Sequence, residues 1–449
     1  MTEDQCLILA GNAVEKAKTA GADCAEAYVT SSRQLSIEVR NQGVETLKMA
    51  DEAGIGIRVI KGARVGFAFS SDISAGELTE IVEQAMANSI QAAYDEFNAL
   101  PDASGEYVSI DLYDPEIETS PVEQKIEIAR DIERSGKAYD SRVRITESCT
   151  YKDSIYSVAV ANTCGLGASY QASVAGAYSQ FVAEENGDFQ TGFGLQFSLK
   201  LNELNPKQIG EEGAEKAVRM LGAGEIATQK MTLVLDPYTA TNFLDIIAPA
   251  VTGDAVQKGK SLFAGKLEQR VMSDLVTIID DGTKRNGIAS APFDGEGVAT
   301  SKNIVVENGI LKGFLYDTYT AAKDGCKSTG NGTRSGSFKG TPGVGTTNFY
   351  VQKGGVTRQK LLEDISKGIY VTQVLGMHTA NPISGDFSIG VAGILIEDGE
   401  FTTPVRGIAV AGNMLELFSS IDCVADDLRF FVDKGSPTIR IPSITVSGS

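Results

Sequence analysis

The chain has 449 residues, 42% of them hydrophobic and 22% charged, with a formal net charge of −19 and a single histidine. One hydrophobic core rarely grows past roughly 250–300 residues, so two domains are expected. The acidic balance, with no Lys/Arg cluster, argues against direct nucleic-acid binding, and one imidazole is too few for an ordinary zinc site or for any Ser-His-Asp triad that does not use His378.

Thr2 and Gln5 have the spacing of a capping box. Cys6, Leu9, Ala10, Ala13, Val14 and Ala17 then recur at helical spacing until Gly21. Strands are predicted at Ala25–Thr30 and around Leu35, Ile37 and Val39. Gly54–Ile60 and Val65–Ser70 flank a turn at Lys61-Gly62 and read as a hairpin. Ser74 and Glu77 open a second helix, and the acidic stretch 91–120 is irregular. Ser120-Pro121-Val122-Glu123 starts a third helix. Residues 141–200 alternate as an antiparallel meander, and a helix from Pro206 to Leu221 ends at the Gly222-Ala-Gly224 punctuation.

The second half opens with a strand at Met231–Leu235 and a helical segment at Pro237–Ala250. Strands are predicted at Leu275–Ile279, Ile304–Glu307, Gly309–Tyr316, Asn348–Gln352, Gly390–Ile396 and Thr438–Val446. Asn308-Gly309 and Asp398-Gly399 are hairpin dipeptides. Gly-rich loops at 324–346 and 376–388 are long enough to suggest a functional role. No apolar run reaches the roughly 18 residues of a membrane span, and Met1–Gln5 shows no basic-then-apolar leader, so a cytoplasmic setting off the membrane is expected. The six cysteines (Cys6, Cys24, Cys149, Cys164, Cys326, Cys423) form no CxxC pair and read as reduced, mostly buried thiols.

Several blocks follow one another in the second half. They are Gly253–Gly265, Asp280-Asp281-Gly282, Glu307–Gly313, Thr329–Arg334, Thr347-Asn348-Phe349-Tyr350 and Asn381–Phe387. In content and order they resemble the TldD/TldE (PmbA) family, a bacterial zinc peptidase system also linked by name to modulation of DNA gyrase. The resemblance implies a catalytic TldD-type member with an HExxxH helix and a later Cys ligand. Two imidazoles and a thiolate would leave one zinc position open for water, with the Glu as general base. On a regular helix the five-residue His spacing puts the two rings about 140° apart, so that helix must be locally loosened.

Counting back from Gly253-Asp254, the HExxxH positions fall at Leu244, Asp245 and Pro249. The Cys ligand falls at Cys423. Both imidazoles are missing, which is the TldE/PmbA pattern. The resemblance therefore implies no metal or cofactor in this chain, and zinc in a TldD-like HExxxH partner. Assembly would be a heterodimer with that partner or a homodimer, acting on a peptide substrate.

Other constellations have blander readings. Arg334, Asn348 and Tyr350 could present a peptide-docking edge, or be turn chemistry beside a packed strand. His378 and Asp386 lie on the 376–388 loop and could touch substrate or partner, or be structural. Gly253-x5-Gly259-Lys260-Ser261 has one residue too many for a phosphate loop. Asp280, Asp281, Asp426 and Asp427 sit in adjacent pairs and read as turns rather than as a glycosidase pair.

The expected fold is α+β. An N-terminal α/β domain (1–222) precedes a C-terminal, mainly antiparallel β domain (223–449) carrying the degenerate metal helix 237–250. The expected role is a metal-free peptidase subunit in proteolysis of small or unfolded peptides. The alternative is a stand-alone, non-catalytic peptide-binding or regulatory protein.

Overall fold

The computed structural model describes residues 1–103 and 105–448. Helix α1 (Glu3–Thr19) starts with the full capping box: Thr2 Oγ1 accepts from Gln5 N, and the Gln5 side chain accepts from Thr2 N. Its stripe of Cys6, Ala10, Ala13, Val14 and Ala17 is buried on the first sheet. That sheet comprises β1 (Cys24–Arg40), β2 (Gly43–Lys61), β3 (Arg64–Ser70), β4 (Val143–Asn162), β5 (Gly167–Glu185) and β6 (Asp188–Ser198). Its order is β3-β2-β1-β4-β5-β6, and every pairing is antiparallel.

Helices α2 (Ala75–Gln91), α3 (Pro115–Thr119), α4 (Val122–Tyr139) and α5 (Pro206–Arg219) complete the first half. Odd-numbered β1 residues face helices at both ends of the strand: Ala25, Ala27 and Val29 meet α1, and Leu35, Ile37 and Val39 meet α4. Gly192 and Gly194 let α5 approach β6, because a Cβ at either would fall within 2.3 Å of α5 backbone. On the opposite face Tyr28, Val158 and Val160 pack around Phe293 and Phe338 of the second half.

The second half begins with β7 (Gln229–Leu235) and α6 (Pro237–Ala250), followed by α7 (Gly253–Gln257). Next come β8 (Ile278–Asp281), β9 (Lys302–Glu307), β10 (Ile310–Leu311), α8 (Thr318–Asp324), β11 (Gly332–Thr333), β12 (Gly343–Val344) and β13 (Phe349–Val351). The chain ends with α9 (Arg358–Glu363), β14 (Lys367–Leu375), β15 (Asp386–Glu397), β16 (Glu400–Asn413), α10 (Met414–Ser419), β17 (Cys423–Val424), β18 (Arg429–Phe431), β19 (Lys434–Ser436) and β20 (Ile439–Ser447). One sheet runs β10-β9-β8-β13-β19-β18 and another β16-β15-β14-β7-β20-β17, in which a further β16–β20 pairing closes five strands into a ring. Among the described residues, β7–β14 and β13–β19 are the strand pairs that run parallel. Helix α6 lies between the two sheets, and their inward side chains form the largest core cluster. The fold is α+β, with a β-rich second half.

Several elements differ from the sequence expectation. β1 is one continuous strand, and β2 reaches back to Gly43 through residues exposed on both faces, where no apolar alternation exists to mark it. The strand expected at Gly309–Tyr316 shrinks to Ile310–Leu311. Beyond it the chain turns to the segment after α6, where Gly253 N–H donates to the Leu315 carbonyl at 2.8 Å. Asn308 (φ 46°) and Gly309 (φ 78°) make the expected tight turn. Cysteine burial is less complete than expected: Cys6 and Cys149 are buried, Cys326 is exposed, and Cys24, Cys164 and Cys423 are half-buried. Among the described residues no helix is long and apolar enough to cross a membrane.

Candidate functional site

Helix α6 is set by its ends and its apolar stripe. Asp236 caps it, accepting from Thr239 N at 2.6 Å, and Pro237 occupies the first turn. Phe243, Leu244, Ile247 and Ala248 are buried between the sheets. Leu244 is fully buried, Asp245 is exposed and Pro249 is exposed in the last turn. Asp245 lies 3.3 Å from Lys434 on β19. Cys423 packs against the cluster that includes Val234 and Tyr370. Val234 alternates with Leu233 and Leu235, which belong to the α6-side core, so Cys423 sits on the sheet face away from Leu244.

A cleft of ≈ 500 Å³ opens at the N-terminal end of α6, between it and α5. Two of its lining rings, Tyr238 and Phe431, are 5.1 Å apart, and Phe193, outside the lining, packs 4.8 Å from Tyr238. Arg429 stacks over Phe431 and donates to both carboxylate oxygens of Glu212, at 2.9 and 2.7 Å. Burial opposes the charge on Glu212, but Arg429 and Lys216 outweigh it and hold its carboxyl below the usual range. Burial pushes the Tyr238 hydroxyl up, with Asp236 and Asp245 adding to the effect. Tyr370 is pushed up to about 12 by burial and then by Asp236, with Arg358 opposing as its hydrogen-bond partner.

Three of the sequence blocks, Asp280-Asp281-Gly282, Thr329–Arg334 and Thr347–Tyr350, contribute elsewhere, to two buried carboxylate centres. Asp280 accepts from Asn331 Nδ2 at 2.7 Å, Thr347 N at 2.6 Å and Thr347 Oγ1 at 3.0 Å. Asn348 is fully buried, donating to the Asp281 carbonyl at 2.7 Å and to Ser290 Oγ at 2.9 Å. Arg334 is buried beneath the first sheet. It pairs with Glu26, donates to the Gly295 and Gly340 carbonyls at 2.7 and 2.9 Å, and stacks on Tyr28. Glu26 also accepts from Arg58, which donates to Glu296 as well, each at 2.9 Å. Arg334 and Asn348 therefore spend their polar groups on the fold rather than on an open docking edge.

Comparison with known proteins places this arrangement. Residues 25–89 match the PmbA/TldA metallopeptidase domain 1, 115–221 the PmbA/TldA metallopeptidase central domain, and 228–448 the PmbA/TldA metallopeptidase C-terminal domain. The chain belongs to the PmbA/TldD family. It is 28% identical over 438 residues to Metalloprotease PmbA of Escherichia coli O157:H7, covering 95% of this chain and 92% of that one. It is 28% identical over 462 residues to a Metalloprotease TldD homolog of Haemophilus influenzae, covering 95% and 93%. A crystal structure from Thermotoga maritima, described as a proposed modulator of a DNA gyrase, superposes with a TM-score of 0.90 at 27% identity, covering 97% and 99%. TldE from Thermococcus kodakarensis shares the fold, with a TM-score of 0.88 at 23% identity over 98% and 99%.

Set against the HExxxH-plus-Cys pattern that the resemblance implies, the donor set here does not fit a zinc ion. Leu244 has no lone pair and is turned into the core, Pro249 has no donor, and Cys423 is on the other sheet face. Among the described residues no group of three or more His, Cys, Asp or Glu could hold a metal ion. His378 and Asp386 are exposed on one loop, where Asp386 accepts from Asn413 Nδ2 at 2.9 Å and Ser384 Oγ at 2.8 Å. Tyr350 is nearly buried, packing its ring 5.2 Å from Phe430. The cleft residues Tyr238, Arg358, Tyr370, Arg429 and Phe431 gave no sequence signal. They lie scattered over the second half, and the α5 charges facing them, such as Glu212 and Lys216, read as an ordinary solvated i,i+4 stripe.

Proposed function

We propose that this chain is the metal-free member of a two-subunit PmbA/TldD peptidase, and that it supports a zinc-bearing HExxxH relative in cleaving small or unfolded peptides. The observation carrying this reading is the fate of the ligand positions on α6. The first is a fully buried leucine and the second a proline. Water unaided by a metal has a pKa near 15.7 and is a poor nucleophile at neutral pH. Asp245 has no metal-bound water to deprotonate and is paired with Lys434 instead. The relatives named metalloprotease support peptide hydrolysis as the system's chemistry.

In this reading the chain works in the cytoplasm as two units, 1–222 and 223–449. The cleft between α5 and α6 receives an extended segment, and the 376–388 loop with His378 meets the partner or the substrate. The test compares this chain, an HExxxH relative from the same host and their mixture on an unstructured peptide, with and without chelator. Cleavage that needs the mixture and is abolished by chelator is expected. Chelator-insensitive cleavage by this chain alone would overturn the reading, as would a relative that works equally well without it.

A further inference from the structure

Two half-buried thiols, Cys24 and Cys164, lie at one end of the first sheet. β1 begins at Cys24, and β4 runs antiparallel beside it, with Glu26 opposite Asn162 and Ala27 opposite Ala161. Each step back along β1 meets one step forward along β4. The pairing continues past the end of β4: Thr163 N–H donates to the Ala25 carbonyl at 2.9 Å, and Ala25 N–H donates to Thr163 Oγ1 at 3.0 Å. Carried two residues past Glu26–Asn162, this register sets Cys24 opposite Cys164, in the slot next to a pair joined by one backbone hydrogen bond. Such slots hold Cα atoms about 4.5 Å apart, within the range of about 4.4–6.8 Å that a disulfide spans. Burial pushes the Cys164 thiol up, and Cys24 is the first of the neighbouring groups that add to the effect. The turn bearing Cys164 is held in place, because Asn162 Oδ1 accepts from Cys164 N at 2.9 Å and from Leu166 N at 3.2 Å.

We propose that Cys24 and Cys164 form a reversible redox site, a dithiol that a hydroperoxide converts to a cross-strand disulfide. One thiolate attacks a peroxide oxygen and the O–O bond breaks. The sulfur becomes a sulfenic acid, and the departing oxygen takes up a proton to leave as water. The second sulfur then attacks the sulfenic sulfur. An S–S bond forms, the S–O bond breaks, and the hydroxide leaves as water with the second thiol's proton. In sum, two thiols and one hydrogen peroxide give one disulfide and two waters. The sulfurs lose two electrons and the peroxide gains them. The bond would tie the start of β1 to the turn whose Leu166 packs with Phe293 of the second half, so oxidation stiffens the contact between the halves.

The full chain, reduced and then treated with hydrogen peroxide, is alkylated, digested without reductant and analysed by mass spectrometry. The expected product is a cross-linked peptide pair containing Cys24 and Cys164 that a thiol reductant separates. The thermal midpoint should rise on oxidation, and this rise should vanish in both Cys24→Ser and Cys164→Ser, so that either variant suffices if the other folds poorly. Free, alkylatable Cys24 and Cys164 after peroxide would overturn the proposal. So would separate oxidation of each to sulfinic acid in the wild type, or a cross-link joining different cysteines.

Discussion

Asp245 Oδ1 lies 3.3 Å from Lys434 Nζ, so the residue that the resemblance puts at the general-base position is tied to strand β19. Burial opposes the charge on Lys434, but Asp433 and Asp245 outweigh it and hold the ammonium above its usual range. This side of α6 is thus anchored to the sheet that carries Tyr350, while Leu244 anchors the other side in the core.

Restoring histidines should not restore a zinc site. Leu244→His with Pro249→His is expected to bind no stoichiometric zinc and to lose stability. The first imidazole would enter an apolar core, and Cys423 could not reach it. Leu244→Ala alone should cost about 2–5 kcal/mol, the usual range for a core leucine. Elemental analysis and urea unfolding check both; about one tightly held zinc per doubly substituted chain would contradict the geometry.

Arg334 should act on stability before it acts on peptides. Its loss leaves Glu26 buried and less compensated, so Arg334→Ala should cost about 3–5 kcal/mol. Arg334→Lys should recover only part of that, since an ammonium cannot reproduce the fork to Glu26, Gly295 and Gly340. Denaturant midpoints measure the effect. A fully stable Arg334→Ala protein with impaired partner-dependent cleavage would return this residue to the substrate side.

Asp280 gives a pH dependence with a definite sign. Burial pushes its carboxyl up to about 6, against the pull of Asn331 and Thr347. A carboxyl raised in the folded state holds its proton more tightly there than in the unfolded chain. Its contribution is complete below the ordinary carboxylate value of about 4 and is lost as pH rises through about 6. Lowering pH from about 7 to 5 should therefore stabilise the wild type relative to Asp280→Asn, by roughly 1 kcal/mol. Parallel melting profiles for the two proteins across that window would exclude the effect.

Exposed candidates should behave in the opposite way. His378→Ala and Arg358→Ala remove side chains with little burial, and each should change stability by no more than about 0.5 kcal/mol. Under the proposed two-subunit reading, both should lower cleavage by the mixture. Paired thermal melts and peptide assays test this, and unchanged cleavage in both variants would remove the cleft and the 376–388 loop from the proposed role.

Local signals made much of the fold legible. Thr2 and Gln5 marked α1, the alternation over 141–200 marked the meander, and Asn308-Gly309 marked a hairpin. Each is a short-range rule about caps, periodicity or turns, which a linear sequence records directly. The sequence by itself also determined that two imidazoles are absent from α6, because composition needs no coordinates. The tertiary structure alone decided what the remaining residues do. Arg334 and Glu26 are 308 residues apart and Asp280 and Thr347 are 67 apart, so their pairing leaves no local pattern to read. The cleft has the same origin: Glu212 and Arg429, 217 residues apart, meet only because α5 and β18 are brought together by packing. The cost of burying an unpaired charge makes those partnerships obligatory once the chain is folded, but nothing in the order of the residues says which charges will be buried.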